Sequence, residues 1–208
     1  MGDSAPGQNE IKFVSRGGLK LQHALKAFEI EPSEWICVDL GCSTGGFTDC
    51  LLQAGAERVY SVDTAYGEFA WTLRNDERVT LLERTNALHV DIPDEVTGRG
   101  GVDLAVIDLG WTRQDKAIPA AIRWLRAGGE IVSLIKPHYE VEKSDLGDGG
   151  VLDHERAEAV AGSVADSLDS FGTVLGLTES PIVGGARSKK KRKGTGNKEW
   201  LVHLRLPE

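Results

Sequence analysis

A chain of 208 residues is long enough for one well-buried α/β domain and short for two. Its formal charge of −8 argues against a broadly basic nucleic-acid face. Cys37, Cys42 and Cys50 are odd in number and fit neither a disulfide framework nor paired zinc knuckles, which points to a reducing, cytoplasmic setting. The polar stretch from Met1 to Glu10 lacks the apolar core of a signal sequence, and no run approaches the roughly 20 apolar residues of a spanning helix, so no membrane partner is expected.

Residues 1–11 read as a flexible lead and residues 12–208 as one domain. Leu21, Ala24, Leu25 and Phe28 fall at i, i+3, i+4 and i+7, an amphipathic helix entered through Ser15-Arg16-Gly17-Gly18. Lys20 and His23 lie off its apolar stripe. β-rich runs follow at residues 35–40, 58–63, 79–83, 102–108, 130–136, 173–179 and 200–206, most of them continuously apolar, as strands covered on both faces must be. Helical patterns lie between them at 46–54, 114–126 and 154–171, the last with Asp153 as its N-cap. The alternation predicts a doubly wound, mostly parallel seven-stranded sheet.

Residues 183–197, rich in Gly, Ser and Lys, are expected to form a basic mobile loop between the last two strands. Within it Arg187, Lys189, Lys190, Lys191, Arg192 and Lys193 put six positive charges into seven residues, leaving −14 for the rest of the chain. Charge so segregated predicts a local basic arm, with a merely solvated loop as the plainer reading.

The first strand runs into Gly41-Cys42-Ser43-Thr44-Gly45-Gly46 and then a helix, an arrangement that turns backbone N–H groups toward a ligand at the carboxyl end of a sheet. The second strand ends at Asp63, 22 residues after Gly41, where a carboxylate can accept both hydroxyls of a ribose. A dinucleotide site wants G-x-G-x-x-G, whose second glycine admits a pyrophosphate, and Ser43 occupies that place here. S-adenosylmethionine (SAM) has no pyrophosphate, so the substitution favours it over NAD. No G-K-[ST] phosphate loop is present.

Ser15-Arg16-Gly17-Gly18-Leu19-Lys20-Leu21, the glycine loop, Asp108 after the fourth strand, Lys136-Pro137 after the fifth and Gly196-Asn197-Lys198-Glu199 before the last resemble the FtsJ-type ribose 2′-O-methyltransferases. Within that group, Phe13-Val14-Ser15-Arg16-Gly17-Gly18, Ser43-Thr44-Gly45-Gly46-Phe47-Thr48-Asp49 and Lys136-Pro137-His138-Tyr139-Glu140 look most like the TlyA (haemolysin A) ribosomal RNA methyltransferases. The resemblance implies a Rossmann-like class I SAM-dependent methyltransferase fold and a catalytic tetrad on Lys20, Asp108, Lys136 and Glu199. It also implies a SAM pocket using Asp39, Gly41, Ser43, Gly45, Asp63 and Asn86, and RNA, from rRNA or a ribosomal subunit, as partner. TlyA-like proteins usually carry an S4-type RNA-binding domain ahead of the catalytic part, and too few residues precede Lys20 to hold one. The family's Asp-x-Ser-Phe reads Asp108-Leu109-Gly110-Trp111, and its Lys-Pro-Gln-Phe-Glu has His138 and Tyr139.

Methyl transfer to a ribose requires a hydroxyl held about 3 Å from the methyl carbon and relieved of its proton. A lysine serves as base if its pKa falls, and a second lysine nearby, together with burial, is expected to lower it. The expectation is that Lys136 is the base, Asp108 orients its amine, and Lys20 and Glu199 steer the hydroxyl. Base amino-methyltransferases commonly place Asn/Asp-Pro-Pro-aromatic after the fourth strand, and Asp108-Leu109-Gly110-Trp111 lacks the prolines. Trp111 either stacks on a substrate base or roofs a helix beneath it, and the basic residues 187–193 are expected to hold phosphates of the RNA. The histidines do not cluster with the cysteines at metal-ligand spacing, so no metal is expected. Two other readings fit the sequence: a SAM-dependent methyltransferase of a small molecule, and a non-catalytic RNA-binding or assembly factor that keeps the fold.

Overall fold

Apolar and β-branched runs set the strands, and the computed structural model, which describes residues 12–147, 149–184 and 196–208, places all seven in one sheet. They are β1 (Ile36–Leu40), β2 (Arg58–Val62), β3 (Val79–Leu82), β4 (Val102–Ile107), β5 (Leu125–Ile135), β6 (Thr173–Glu179) and β7 (Trp200–Arg205). Their order is β3-β2-β1-β4-β5-β7-β6. β1 to β5 run parallel, and β7 is antiparallel to both β5 and β6. The chain moves outward from β1 through β2 and β3, then returns to lay β4 on the other side of β1. That reversal opens a crevice at the carboxyl ends of β1 and β4. Leu40 pairs with Ile107, so Gly41 and Asp108 leave the sheet as neighbours, and the Asp108 N–H donates to the Leu40 carbonyl at 3.0 Å.

α1 (Gly17–Ala27), α2 (Gly46–Gln53) and α3 (Trp71–Arg74) cover one face of the sheet. The other face carries α4 (Asp94–Gly98), α5 (Gln114–Ile122) and α7 (His154–Ser167), and α6 (Pro137–Glu140) is a single turn following β5. Strand alternation divides β1 between the layers: Ile36, Val38 and Leu40 join the α5 and α7 side, Cys37 the α1 and α2 side. Asp39 points the same way as Cys37, fully buried, and accepts the Thr48 N–H at 2.9 Å and the Thr48 hydroxyl at 2.7 Å.

Two expected boundaries move. The helix expected over 114–126 ends at Ile122, and β5 begins at Leu125, because Leu125 pairs with Val102 before the register jumps to Leu104 opposite Glu130. Gly128, in the left-handed region, lies within that excursion of the strand. The helix expected over 154–171 stops at Ser167 and closes with a 3-10 turn over Leu168–Ser170. Its start is as expected: Asp153 caps α7 by accepting the Arg156 N–H at 2.8 Å. The basic residues 187–193 lie outside the described residues.

Lys20 reaches the crevice because glycines let α1 lie tightly against α2. A Cβ on Gly46 would run into the Ser15 hydroxyl and come within 2.9 Å of the Gly18 nitrogen. Gly46→Ala is therefore expected to cost about 1–3 kcal/mol through overpacking, measured by urea unfolding. Gly162→Ala, in α7 with open space around it, should instead be neutral or stabilise by up to about 1 kcal/mol.

Candidate active site

The loop from Gly41 to Gly46 turns sharply: Gly41, Ser43 and Gly45 take φ of 92°, 47° and 98°. A Cβ on Gly41 would meet the Asp108 carbonyl oxygen at 2.7 Å, and one on Gly45 would meet Leu73 at 2.5 Å. Ser43 bears the steric cost of a left-handed conformation, roughly 1–2 kcal/mol, and its N–H donates to Asp63 Oδ2 at 2.7 Å. That charge-assisted bond offsets the cost. Asp63 Oδ1 accepts the Ala65 N–H at 2.8 Å. A carboxylate has about four acceptor positions, so Asp63 holds the loop and still has capacity for hydroxyl donors.

Two cavities meet at this loop, of about 400 Å³ and about 550 Å³, each within the range of small-molecule sites. Both are bordered by Gly41, Ser43, Asp108 and Lys136. Asp63 and Asn86 line the larger; Lys20, His138, Tyr139 and Glu199 line the smaller. Two residues expected in the cofactor pocket stand apart. Asp39 lies in neither lining, because strand alternation turns it under α2, and Gly45 faces Phe69 and Leu73 in the α1 and α2 layer.

Lys20, Asp108, Lys136 and Glu199 come from four separate elements and converge as two ion pairs. Lys136 Nζ lies 2.5 Å from Asp108 Oδ1 and donates to the Leu109 carbonyl at 3.0 Å. Lys20 Nζ lies 2.6 Å from Glu199 Oε2, with both side chains largely buried. Glu199 fits only because Gly184 has no side chain: a Cβ there would overlap its carboxylate. The Ser180 N–H donates to the Glu199 carbonyl and the Gly184 N–H to the Asn197 carbonyl, which fixes the segment ahead of β7.

Burial pushes the Asp108 carboxyl up, but the ammonium groups of Lys136 and Lys20 outweigh it and hold it below the usual range. Burial likewise pushes Lys136 down, yet Asp108 and then Glu199 reverse the balance and hold the ammonium above the usual lysine range. The expected lowering of Lys136 by its companion lysine is thus overturned, since Asp108 is the near charge and Lys20 is paired with Glu199. Burial raises Glu199, against the opposing Lys20. Burial and then Lys136 push the His138 imidazole down to about 4.

Some contributors carried no expectation from sequence. Asn197 braces the cavity wall, its side-chain oxygen accepting the Leu152 N–H at 3.1 Å and its amide donating to the Gly150 carbonyl at 3.0 Å. Glu140 accepts the Gln114 N–H at 2.9 Å and so ties α6 to the start of α5. Both sit inside motifs that the sequence displays, which is the signal they offered. Trp111 does not roof a helix: it is 84% exposed and stacks on Tyr139 with ring centroids 4.7 Å apart. Among the described residues no cluster of three or more His, Cys, Asp or Glu is placed to hold a metal ion, and no helix is long and apolar enough to cross a membrane.

Residues 13–191 match the FtsJ-like methyltransferase family. The 16S/23S rRNA (cytidine-2′-O)-methyltransferase TlyA of Mycobacterium tuberculosis (strain CDC 1551 / Oshkosh) is 40% identical over 200 residues, covering 95% of this chain and 70% of TlyA. A solved protein of Streptococcus thermophilus that carries the hemolysin name superposes with a TM-score of 0.84 at 36% identity, over 97% of this chain and 70% of that one. The N-methyltransferase NodS of Bradyrhizobium japonicum WM9, solved with S-adenosyl-L-homocysteine, shares the fold at a TM-score of 0.59 and 16% identity, over 93% of this chain and 86% of NodS. The donor set suits SAM: Asp63 lines the larger cavity and, beyond its two backbone N–H bonds, keeps acceptor capacity for the hydroxyls of a ribose. The chain belongs to the FtsJ-like methyltransferase family and is a SAM-dependent methyltransferase with the class I fold.

Proposed function

We propose that this enzyme methylates a ribose 2′-hydroxyl in ribosomal RNA. The observation that carries the reading is the pair of ion pairs, Lys136–Asp108 and Lys20–Glu199, at the seam between the two cavities. TlyA, 40% identical, is named for cytidine 2′-O-methylation of rRNA, which supports the same substrate class here.

Gly41, Ser43, Asp63 and Asn86 would hold the cofactor in the larger cavity, where SAM would supply an electrophilic methyl group. The substrate hydroxyl enters from the smaller cavity. Lys136 Nζ takes its proton once the amine is free, and Asp108 orients that amine. Lys20, held by Glu199, donates to the ribose and fixes the angle of approach. The exposed face of Trp111 receives a base of the substrate, and residues 187–193 contribute phosphate contacts through their charge alone.

Lys136→Ala should lower methyl transfer by roughly 10²–10⁴-fold and leave SAM affinity close to wild type, measured with tritiated SAM and total RNA. Transfer to RNA that disappears on nuclease treatment supports the reading, whereas transfer only to small molecules of the extract contradicts it. With Lys136 raised by Asp108, the free-amine fraction grows about tenfold per pH unit below its pKa, so kcat should climb with pH. Asp108→Asn removes the carboxylate that holds the proton and should move that limb to lower pH. An unshifted limb argues against Lys136 as the base.

Asp63→Ala should weaken SAM binding by about 10–100-fold, the scale of hydrogen bonds to a charged acceptor. Calorimetry checks this, and wild-type affinity would place the cofactor elsewhere.

A further inference from the structure

Among the described residues three of the exposed large hydrophobic side chains are aromatic, and two of them, Tyr66 (66%) and Trp71 (74%), line neither cavity. Tyr66 lies in the loop that leaves β2 three residues after Asp63. Trp71 opens α3, directly after Ala70, whose N–H donates to the Thr44 carbonyl of the glycine loop at 3.1 Å. Both therefore flank the cofactor site at the carboxyl edge of the sheet.

The loop carrying Tyr66 is braced at three points. Asp63 accepts the Ala65 N–H, the Arg84 N–H donates to the Ala65 carbonyl at 3.2 Å, and Glu83 Oε1 accepts the Gly67 N–H at 2.7 Å. Glu83 is itself held by Arg74, at 2.6 and 3.0 Å. Arg84 takes a left-handed backbone (φ 54°) and sets its guanidinium 4.1 Å from the centre of the Tyr66 ring. The outcome is a braced, solvent-facing aromatic with a cation on one face. A pre-organised surface of this kind loses little freedom on binding.

Resting on the proposed RNA substrate, we propose that Tyr66, Trp71 and Arg84 form a second stacking surface, which holds an unpaired base flanking the target nucleotide. Aromatic rings accept any base on their π-face, and arginine adds cation–π and phosphate contact. Arg84 follows β3 and Trp111 follows β4, three strand spacings or roughly 14 Å apart, with the glycine loop between them. A single strand lying along this edge meets Trp111 beside the catalytic seam and, beyond the glycine loop and the larger cavity, Tyr66, Trp71 and Arg84. Duplex RNA, with its bases stacked inward, cannot use such a surface.

The test is binding of the full chain to a short labelled single-stranded oligoribonucleotide and to a duplex of the same length, alongside methylation of total RNA. The double substitution Tyr66→Ala and Trp71→Ala should weaken single-strand binding by roughly tenfold or more, raise KM for RNA and leave kcat and SAM affinity unchanged. The slope of log affinity against log salt should stay as in wild type, because no phosphate contact is lost. Phenylalanine at both positions should keep most of the binding, which a simple folding defect would not allow. A wild-type enzyme that methylates RNA, with variants that bind single strands equally well, overturns this surface alone. Loss confined to assembled ribosomal particles, with naked RNA bound normally, assigns the surface to a protein and overturns the RNA assignment. A wild-type enzyme that transfers no methyl group to RNA overturns the proposed function, and this surface with it.

Discussion

Four ionised side chains share one rim of the sheet, and the requirement that buried charge be paired governs how that rim is built. All four side chains are a quarter exposed or less, and a charge so withdrawn from water is costly to leave unpaired. Lys136 with Asp108 and Lys20 with Glu199 meet the requirement pairwise. Each pair joins separate elements: the end of β5 to the end of β4, and, across most of the chain, α1 to the segment before β7. The glycines follow from the same demand. Gly46 lets α1 approach until Lys20 reaches the crevice, and Gly184 leaves room for the carboxylate that Lys20 needs.

The resting electrostatics also set what the proposed proton transfer has to overcome. Lys136 is stored as its ammonium, held by the carboxylate that orients it. With Lys136 as the proposed base, the contact that positions its amine would also oppose its deprotonation, so that pH and the charge at residue 108 would set how much base is available. His138, two residues on, is pushed down by burial and by Lys136 and is neutral near pH 7, so it adds no competing charge to the seam.

Much of this architecture is legible in the sequence. Six of the seven strands lie within a residue or two of their expected limits, since continuous apolar runs of four to eight residues leave few alternatives. β5 is the exception: its early start at Leu125 falls on the period of α5, and only pairing with Val102 separates strand from helix there. α3, α4 and α6 are too short for periodicity to register. The four charged residues are legible through their motifs, and so is Asp108 beside the Lys136 amine, whereas the pairing of Lys20 with Glu199 is set by tertiary distances. Asp39 reads as a cofactor ligand beside Gly41, and its burial under Thr48 depends on which face of β1 it occupies. The direction of the Lys136 shift depends on which charge stands nearest, and sequence spacing carries no such information.

The proposed methyl acceptor is a ribose oxygen of RNA. Its most direct measurement is mass spectrometry of nucleosides from ribosomal RNA incubated with the purified protein and deuterated SAM, then digested completely. The label should appear on a nucleoside methylated at the ribose 2′-oxygen and be absent when Lys136→Ala replaces the wild-type enzyme. Label on a nucleobase, or on no nucleoside at all, would contradict it.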